Sequence, residues 1–422
     1  MAGVSIGDFG ASFIKYLPKV TKTLNMTSVA RKIPKGKMQW KGEEHVEKVV
    51  HLQPSGSINP GTYDGAPLPD ASKQTYGRIK AYRTFLSGTV QVTDGALRAI
   101  TDKQSAISVV NSELRGLMEG IRKLENFNFT RDGSGKMCTV GEDADGSDGA
   151  ISVDDGRGLW ASKDFSVYGP GESGALKGSF VCDKVDRALD ANGKATVKIS
   201  GLSLESGETI ATGDEIYWGT GDNCAKGRVF QGLDKMIDDS AVPFQTLNVA
   251  DYPHYSSPVL RVPVDSGTGL PGDLQARHFR EMLAMLKQEG AGNLHGMTVL
   301  TNVWNCLDVE ELYEGQLRIT PDTKTTGLAA VKFQSSLGSI KIVTDPDCPY
   351  GTMYFLDPSE LTRLVQHELA WRKNGKGGSI FRASDEKLIY RASCFEMMEM
   401  FIEKRNTSGK IVGLSSSHSS AY

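Results

Sequence analysis

The chain has 422 residues, 39% of them hydrophobic and 23% charged, with 48 Lys+Arg against 51 Asp+Glu and a formal net charge of -3. That length supports two to three domains or one elaborated architecture with a proper core, and the balanced charge excludes a generic polycation drawn onto nucleic acid or acidic lipid. The unusual number is 47 glycines, about 11% against ~7% in ordinary proteins and without a collagen-like period, so many turns and extended loops are expected.

Residues 1–40 carry seven bases (Lys15, Lys19, Lys22, Arg31, Lys32, Lys35, Lys37) and one acid, Asp8. This local excess of +6 leaves about -9 for the rest. The segment reads as an extended basic arm facing a neighbouring subunit or a polyanion. It lacks a long apolar core or a cleavage site, and no stretch approaches the ~18–20 apolar residues of a membrane span, so cytosolic synthesis without a membrane partner is expected.

From Trp40 to Leu52 the residues alternate as in a strand, and Thr75–Thr93, rich in Tyr, Thr, Ile and Val, reads as its hairpin partner. Both strands read as polar on both faces. Between them lie Pro54, Pro60, Pro67 and Pro69 with Gly56, Gly61 and Gly65, a tip far longer than a compact hairpin needs. Such an arm is expected to pack against other chains.

Ile107, Val110, Leu114, Leu117, Ile121 and Leu124 then repeat at helical spacing, with Thr101 and Gln104 placed for a capping box and Gly133 and Gly135 beyond the end. About 25 such residues make a rod of roughly 40 Å. Gly116 and Gly120 within it suggest close packing. Residues 131–158 hold seven glycines and seven acids and read as a mobile surface loop. Short strands with tight turns continue through residue 232, the signature of a small barrel.

After Asp239 the pattern becomes mixed. A helix is expected from Asp273, read as its N-cap, to Gly290, then a strand at MTVLTNV, a helix around CLDVEELYEG, and strands at LAAVKF and GSIKIVT. A further helix is expected to open at Asp357-Pro358-Ser359-Glu360, and RASCFEMMEMFIEKR with KIVGL reads as a closing antiparallel pair.

No chemistry-bearing constellation stands out. Gly169-Pro170-Gly171-Glu172-Ser173-Gly174 has the form G-x-G-x-x-G, but the residues after Gly174 are strand-like where a dinucleotide site needs a helix. Asp143, Asp145 and Asp148 superficially suggest a calcium loop, yet Asp148 stands where an EF-hand needs glycine. His367-Glu368 lacks the second histidine of a zincin motif. The six cysteines lie more than 40 residues apart, without zinc or disulfide spacing. No enzyme activity, metal or cofactor is expected.

The order of basic arm, long hairpin, long helix, small β-rich insertion, mixed domain and returning strands resembles the major capsid protein of tailed bacteriophages, the Hong Kong 97 type shell fold. KQTYGRIKAYRTFLSGTVQVTDGALRAI leading into SELRGLMEGIRKLENF, then GDEIYWGTGDNCAKGRVFQGLDKMIDDS and the closing GSIKIVTDPDCPYGTMYFLDPSEL to FEMMEMF, carry the likeness. It implies an α+β capsid fold with an extended N-arm (1–40), an E-loop hairpin (41–93), a peripheral domain with spine helix and acidic loop (94–158), a β-barrel-like insertion (159–232), a mainly axial domain (233–375) and a return to the peripheral domain (376–422).

The implied function is self-assembly into hexamers and pentamers of an icosahedral head shell around double-stranded DNA, built in the host cytoplasm. Scaffolding, portal and decoration proteins are implied partners. Members with a scaffolding segment of about a hundred residues at the N-terminus differ from this chain, whose first strand signal lies near residue 38; a separate or removed scaffold is implied. An encapsulin-like shell shares the fold and differs in cargo, and a tail or surface adhesin would not need the long helix. Glu43, Glu44, Glu47, Pro60, Gly61, Arg78, Lys80 and Arg83 are the expected intersubunit contacts, and the seven bases of the arm are expected to face packaged DNA by salt-dependent contact.

Overall fold

The computed structural model describes residues 29–40, 44–58, 70–93, 103–144, 149–190, 193–240, 242–264, 271–291, 294, 296–313, 331–335, 338–373, 381–383 and 389–415. Strands β1 (His45–Gln53) and β2 (Thr75–Tyr82) form an antiparallel ribbon, while β3 (Thr84–Thr93) departs from it at Arg83. The expected single partner strand is therefore two. β3 pairs instead with β17 (Ile389–Ile402), from Thr93 opposite Ile389 to Thr84 opposite Met398. Local sequence could not show this, because the pairing partner lies about three hundred residues on.

The helical repeat becomes α1 (Lys103–Phe129). Leu114 and Ile121 are buried, and Gly88 of β3 lies so close beneath the helix that an added Cβ would meet Leu117 Cδ1 at 2.9 Å. Gly120 faces Trp160 at 3.4 Å, whereas nothing lies within 4 Å of a Cβ at Gly116. Neither glycine is therefore required by a close neighbour: a Cβ at Gly120 would make ordinary contact with Trp160 and one at Gly116 would meet none. Thr101 of the expected capping box lies outside the described residues. In the last turn Glu125, Asn126, Phe127, Asn128 and Phe129 are all buried. There the helix leaves its amphipathic pattern and enters the core on all sides.

The acidic stretch 131–158 departs from the expected loop. It supplies β4 (Lys136–Thr139) and β5 (Ala150–Val153), whose Met137, Cys138, Ile151 and Val153 are core residues, as is Val140 just after β4. Strands of four residues among glycines and acids carry too few alternations to be legible. With β6 (Lys163–Tyr168), β7 (Leu176–Leu189), β8 (Ala195–Leu204) and β9 (Glu215–Trp218) they form one sheet in the order β4-β9-β6-β7-β8-β5. A bridge between Val140 and Val153 joins the two ends, so the sheet closes into a barrel. The G-x-G-x-x-G segment is the β6–β7 turn, closed by Gly169 N–H to Ala175 O (2.9 Å).

The barrel leads through the one-turn helix α2 (Leu233–Met236) into a second six-stranded sheet. Its order is β10-β18-β14-β11-β13-β12, from β10 (Val259–Arg261), β11 (Thr298–Thr301), β12 (Val331–Ser335), β13 (Gly338–Thr344), β14 (Met353–Leu356) and β18 (Gly409–Val412). Helix α3 (Ala276–Gln288) buries Phe279, Met282, Leu283 and Leu286 against this sheet, and α4 (Val303–Tyr313) adds Cys306 and Val309. The α3 cap is Gln275, in a reciprocal box with His278, and not Asp273, which accepts Ser415 Oγ at 2.7 Å.

The helix expected at Asp357 is absent. Asp357 Oδ1 accepts Ser359 N–H (3.0 Å) and Oγ–H (2.7 Å), a local turn, and β15 (Leu361–Trp371) comes next. The motif that starts helices also starts turns, and the partner decides: β15 pairs along its length with β17. The expected closing pair also separates. β17 joins β3, β15 and β16 (Phe381–Ala383), while β18 lies parallel to β10 in the other sheet.

Candidate assembly surface

The register of the ribbon opposes His45 to Tyr82, Glu47 to Lys80, Val49 to Arg78 and His51 to Tyr76. These pairs alternate with buried Val46, Gly77, Ile79 and Ala81, which pack with Leu247, Tyr255, Leu364 and Phe401 of the same chain. The ribbon is therefore amphipathic, a correction to the reading of two polar faces; glycine and alanine at inward positions of β2 hide the apolar alternation. Its inward face rests on its own subunit. On the outward face Val49, Tyr76 and Tyr82 are more than half exposed (56%, 59% and 52%), and Phe85, one strand on, is 56% exposed.

The expected contact residues divide between these roles. Arg78 pairs with Glu47 at 3.5 Å on the outward face, an exposed interaction of modest worth. Lys80 donates its backbone N–H to Gln245 O (2.8 Å), and Arg83 donates to Glu44 O through its backbone (3.1 Å) and to Gln366 Oε1 through its guanidinium (3.0 Å). Arg83 is thus a corner post holding the turn from β2 into β3. Glu43, Pro60 and Gly61 lie outside the described residues. The exposed apolar side chains Val49, Tyr76, Tyr82 and Phe85 are not legible from sequence, because Gly77 and Ala81 at inward positions of β2 mask which face is buried.

The arm is likewise divided. Lys15, Lys19 and Lys22 lie outside the described residues. Arg31 reaches inward and meets Glu125 and Glu396 at 2.5 Å each, while Arg363 meets Glu125 at 3.0 Å and Glu396 at 3.8 Å. Both glutamates are fully buried. Burial raises the Glu125 carboxyl above its ordinary value, and Arg31 draws it back. Lys35 pairs with Glu368 on β15, and Pro34 and Gly36 exchange backbone hydrogen bonds with Arg363. Lys32 and Lys37 are exposed. Of the described arm bases, Arg31 is therefore structural.

Residues 211–398 match the family model described as SU10 major capsid protein. The capsid asymmetric unit of cyanophage A-1(L) is similar over 95% of this chain and 96% of that one, at 11% identity and a TM-score of 0.56. The fold is that of the Hong Kong 97 type capsid proteins. The chain is a phage head-shell protein, as its layout led us to expect. The capsid of a native GTA particle is similar over 98% of this chain and 100% of that one, at 9% identity and a TM-score of 0.49, and bears no further weight. No curated protein matches this head-shell protein in sequence.

Among the described residues no helix is long and apolar enough to cross a membrane, and no group of three or more His, Cys, Asp or Glu is placed to hold a metal. The six cysteines are buried and unpaired by disulfide.

Proposed function

We propose that this head-shell protein assembles into hexamers and pentamers through the outward face of its ribbon, to enclose double-stranded DNA within a closed icosahedral shell. The observation that carries the reading is the row of Val49, Tyr76, Tyr82 and Phe85, more than half exposed on a ribbon whose other face is already buried. Half-buried aromatic and aliphatic side chains rimmed by Glu47, Arg78 and Lys80 suit an apolar contact with a polar rim. Many such modest contacts summed over a closed symmetric shell make the whole stable.

In this reading the exposed Lys32 and Lys37, with Lys15, Lys19 and Lys22, face the packaged DNA, and scaffolding, portal and decoration proteins are further partners. The mainly axial part, 233–375, meets its copies at capsomer centres, and the barrel projects as an insertion. Assembly takes place in the host cytoplasm.

The test is co-expression of the chain with its scaffold and electron microscopy of the particles, alongside Val49→Ser/Tyr82→Ser. Closed shells from the natural chain, with a folded but unassembled double variant, are expected. Normal shells from the variant would remove the outward face from the interface.

A further inference from the structure

Residues 345–350, the turn after β13, are gripped from four directions. Asn126 of the spine helix donates through Nδ2 to both oxygens of Asp345 (3.1 and 3.0 Å) and to Asp347 Oδ2 (2.8 Å). The same side chain accepts, through Oδ1, the backbone N–H groups of Val29 (2.7 Å) and Ala30 (3.2 Å) of the arm. From the barrel, Arg157 donates to the carbonyls of Cys348 (3.0 Å) and Pro346, and from the start of α4 Asn302 donates to Cys348 O (2.9 Å). Arm, spine helix, barrel and axial sheet thus meet on one turn, with Asn126 as the pin.

Among the described residues no cation forms a salt bridge with the acids at this pin. Asp345 is fully buried and Asp347 is 5% exposed. Arg157 commits Nε and Nη2 to Asp155 (2.8 and 2.7 Å) and Nη1 to the two carbonyls. Arg131 also pairs with Asp155, and Lys123 acts on Asp347 through space. Cys348, in the same turn, is held neutral by burial. One amide group therefore binds two buried carboxylates together.

We propose that Asp345 and Asp347 hold one proton between them, and that this proton locks the arm and spine helix onto the axial sheet. Two carboxylates in one dry site resist double ionisation. Burial first, and then the negative charge of Asp347, push Asp345 up from 3.8 to about 6, and burial also raises Asp347. A carboxyl raised in the folded state favours that state fully below its ordinary value, and the advantage fades as pH rises through about 6. Above that, repulsion favours parting the turn from Asn126, which at once weakens the hold on Val29 and Ala30. The difference between 3.8 and about 6 corresponds to roughly a hundredfold change in the locking equilibrium.

Hydrogen exchange of the full chain at about pH 5 and about pH 7.5, corrected for intrinsic chemistry, reads this directly. Opening of the segments holding Val29–Ala30 and 345–350 is expected to rise between ten- and a hundredfold in the natural chain, with barrel strands β6 and β7 unchanged. Asp345→Asn, which keeps the shape but has no titratable proton, should abolish the rise, and Asp347→Asn serves if the first variant does not fold. A natural chain with equal protection at both pH values, or a variant that keeps the rise, overturns the proposal. If neither variant folds, carboxyl carbon shifts of the natural chain decide: both aspartates titrating below pH 4.5 overturn the shared proton, and one titrating near 6 supports it.

Discussion

Two buried ionisable residues carry stability at single positions. Arg405 is 1% exposed; its Nε donates to Met236 O (2.9 Å), its Nη2 to Asp238 O (2.9 Å) and Lys235 O (3.3 Å), and its guanidinium stacks 4.2 Å from the centre of the Phe244 ring. It therefore caps the carbonyl end of α2 beside the Ile237 N–H, which donates to Leu233 O. Arg405→Met should cost about 3 kcal/mol in urea unfolding of the subunit, because Met236 O and Lys235 O lose this donor and Asp238 O keeps only the Ser257 N–H. Glu399 has no cation partner among the described residues; it accepts the backbone N–H groups of Gln231 (2.8 Å) and Met400 (3.1 Å), and burial pushes it up from 4.5 to about 8. Its folded value lies above its unfolded one, so its contribution is complete below about 4.5 and is lost as pH rises through about 8. Glu399→Gln accepts the same two bonds without charge. Its unfolding free energy should flatten across that window relative to the natural chain; an unchanged pH slope would show that Glu399 is ionised throughout. Neither role was visible in sequence, since Arg and Glu are ordinarily surface residues and only their neighbours make them buried caps and acceptors.

At the scale of elements, two glycines make opposite predictions. Gly116 stands in the middle of α1 with open space where a Cβ would go, so Gly116→Ala should stabilise the subunit by about 0.5–1 kcal/mol through helix propensity alone. Gly232, just before α2, has Arg131 O 2.1 Å and Asn128 O 2.5 Å from the same point. Backbone cannot yield there as a side chain can, and Gly232→Ala should lower the thermal midpoint, with a cost of about 1–3 kcal/mol. Calorimetry of the two variants checks both signs. The long helix and α3 were legible because periodicity is a local property. The turn at Asp357, the two short strands within 131–158 and the separation of β17 from β18 were not, because each is decided by a pairing partner distant in sequence.

For the whole molecule, the arm has two parts with different duties. Truncation of residues 1–28 keeps every described contact of the arm and serves as the reference. Truncation of residues 1–37 also removes Arg31, leaving Glu125 and Glu396 buried with Arg363 alone, and should cost about 3–5 kcal/mol. Equal unfolding curves for the two truncations would show the arm to be a passive tail along its whole length. The sequence alone determined the layout: a segregated basic arm, a ribbon with a long tip, one long helix, a small barrel and a mixed domain, an order that already pointed to a shell subunit. Charge segregation and hydrophobic period need no partner to be read. Only the tertiary structure decided which of those charges are free. Arg31, Arg83 and Arg405 look like any surface base in a string of letters, but each is turned inward by contacts formed across long stretches of chain. The glycine excess was likewise resolved only in three dimensions, where Gly88 and Gly232 admit close neighbours and Gly116 meets none. Exposure and burial are properties of the closed sheets and the crossing helix, and these come from pairings that local sequence does not encode.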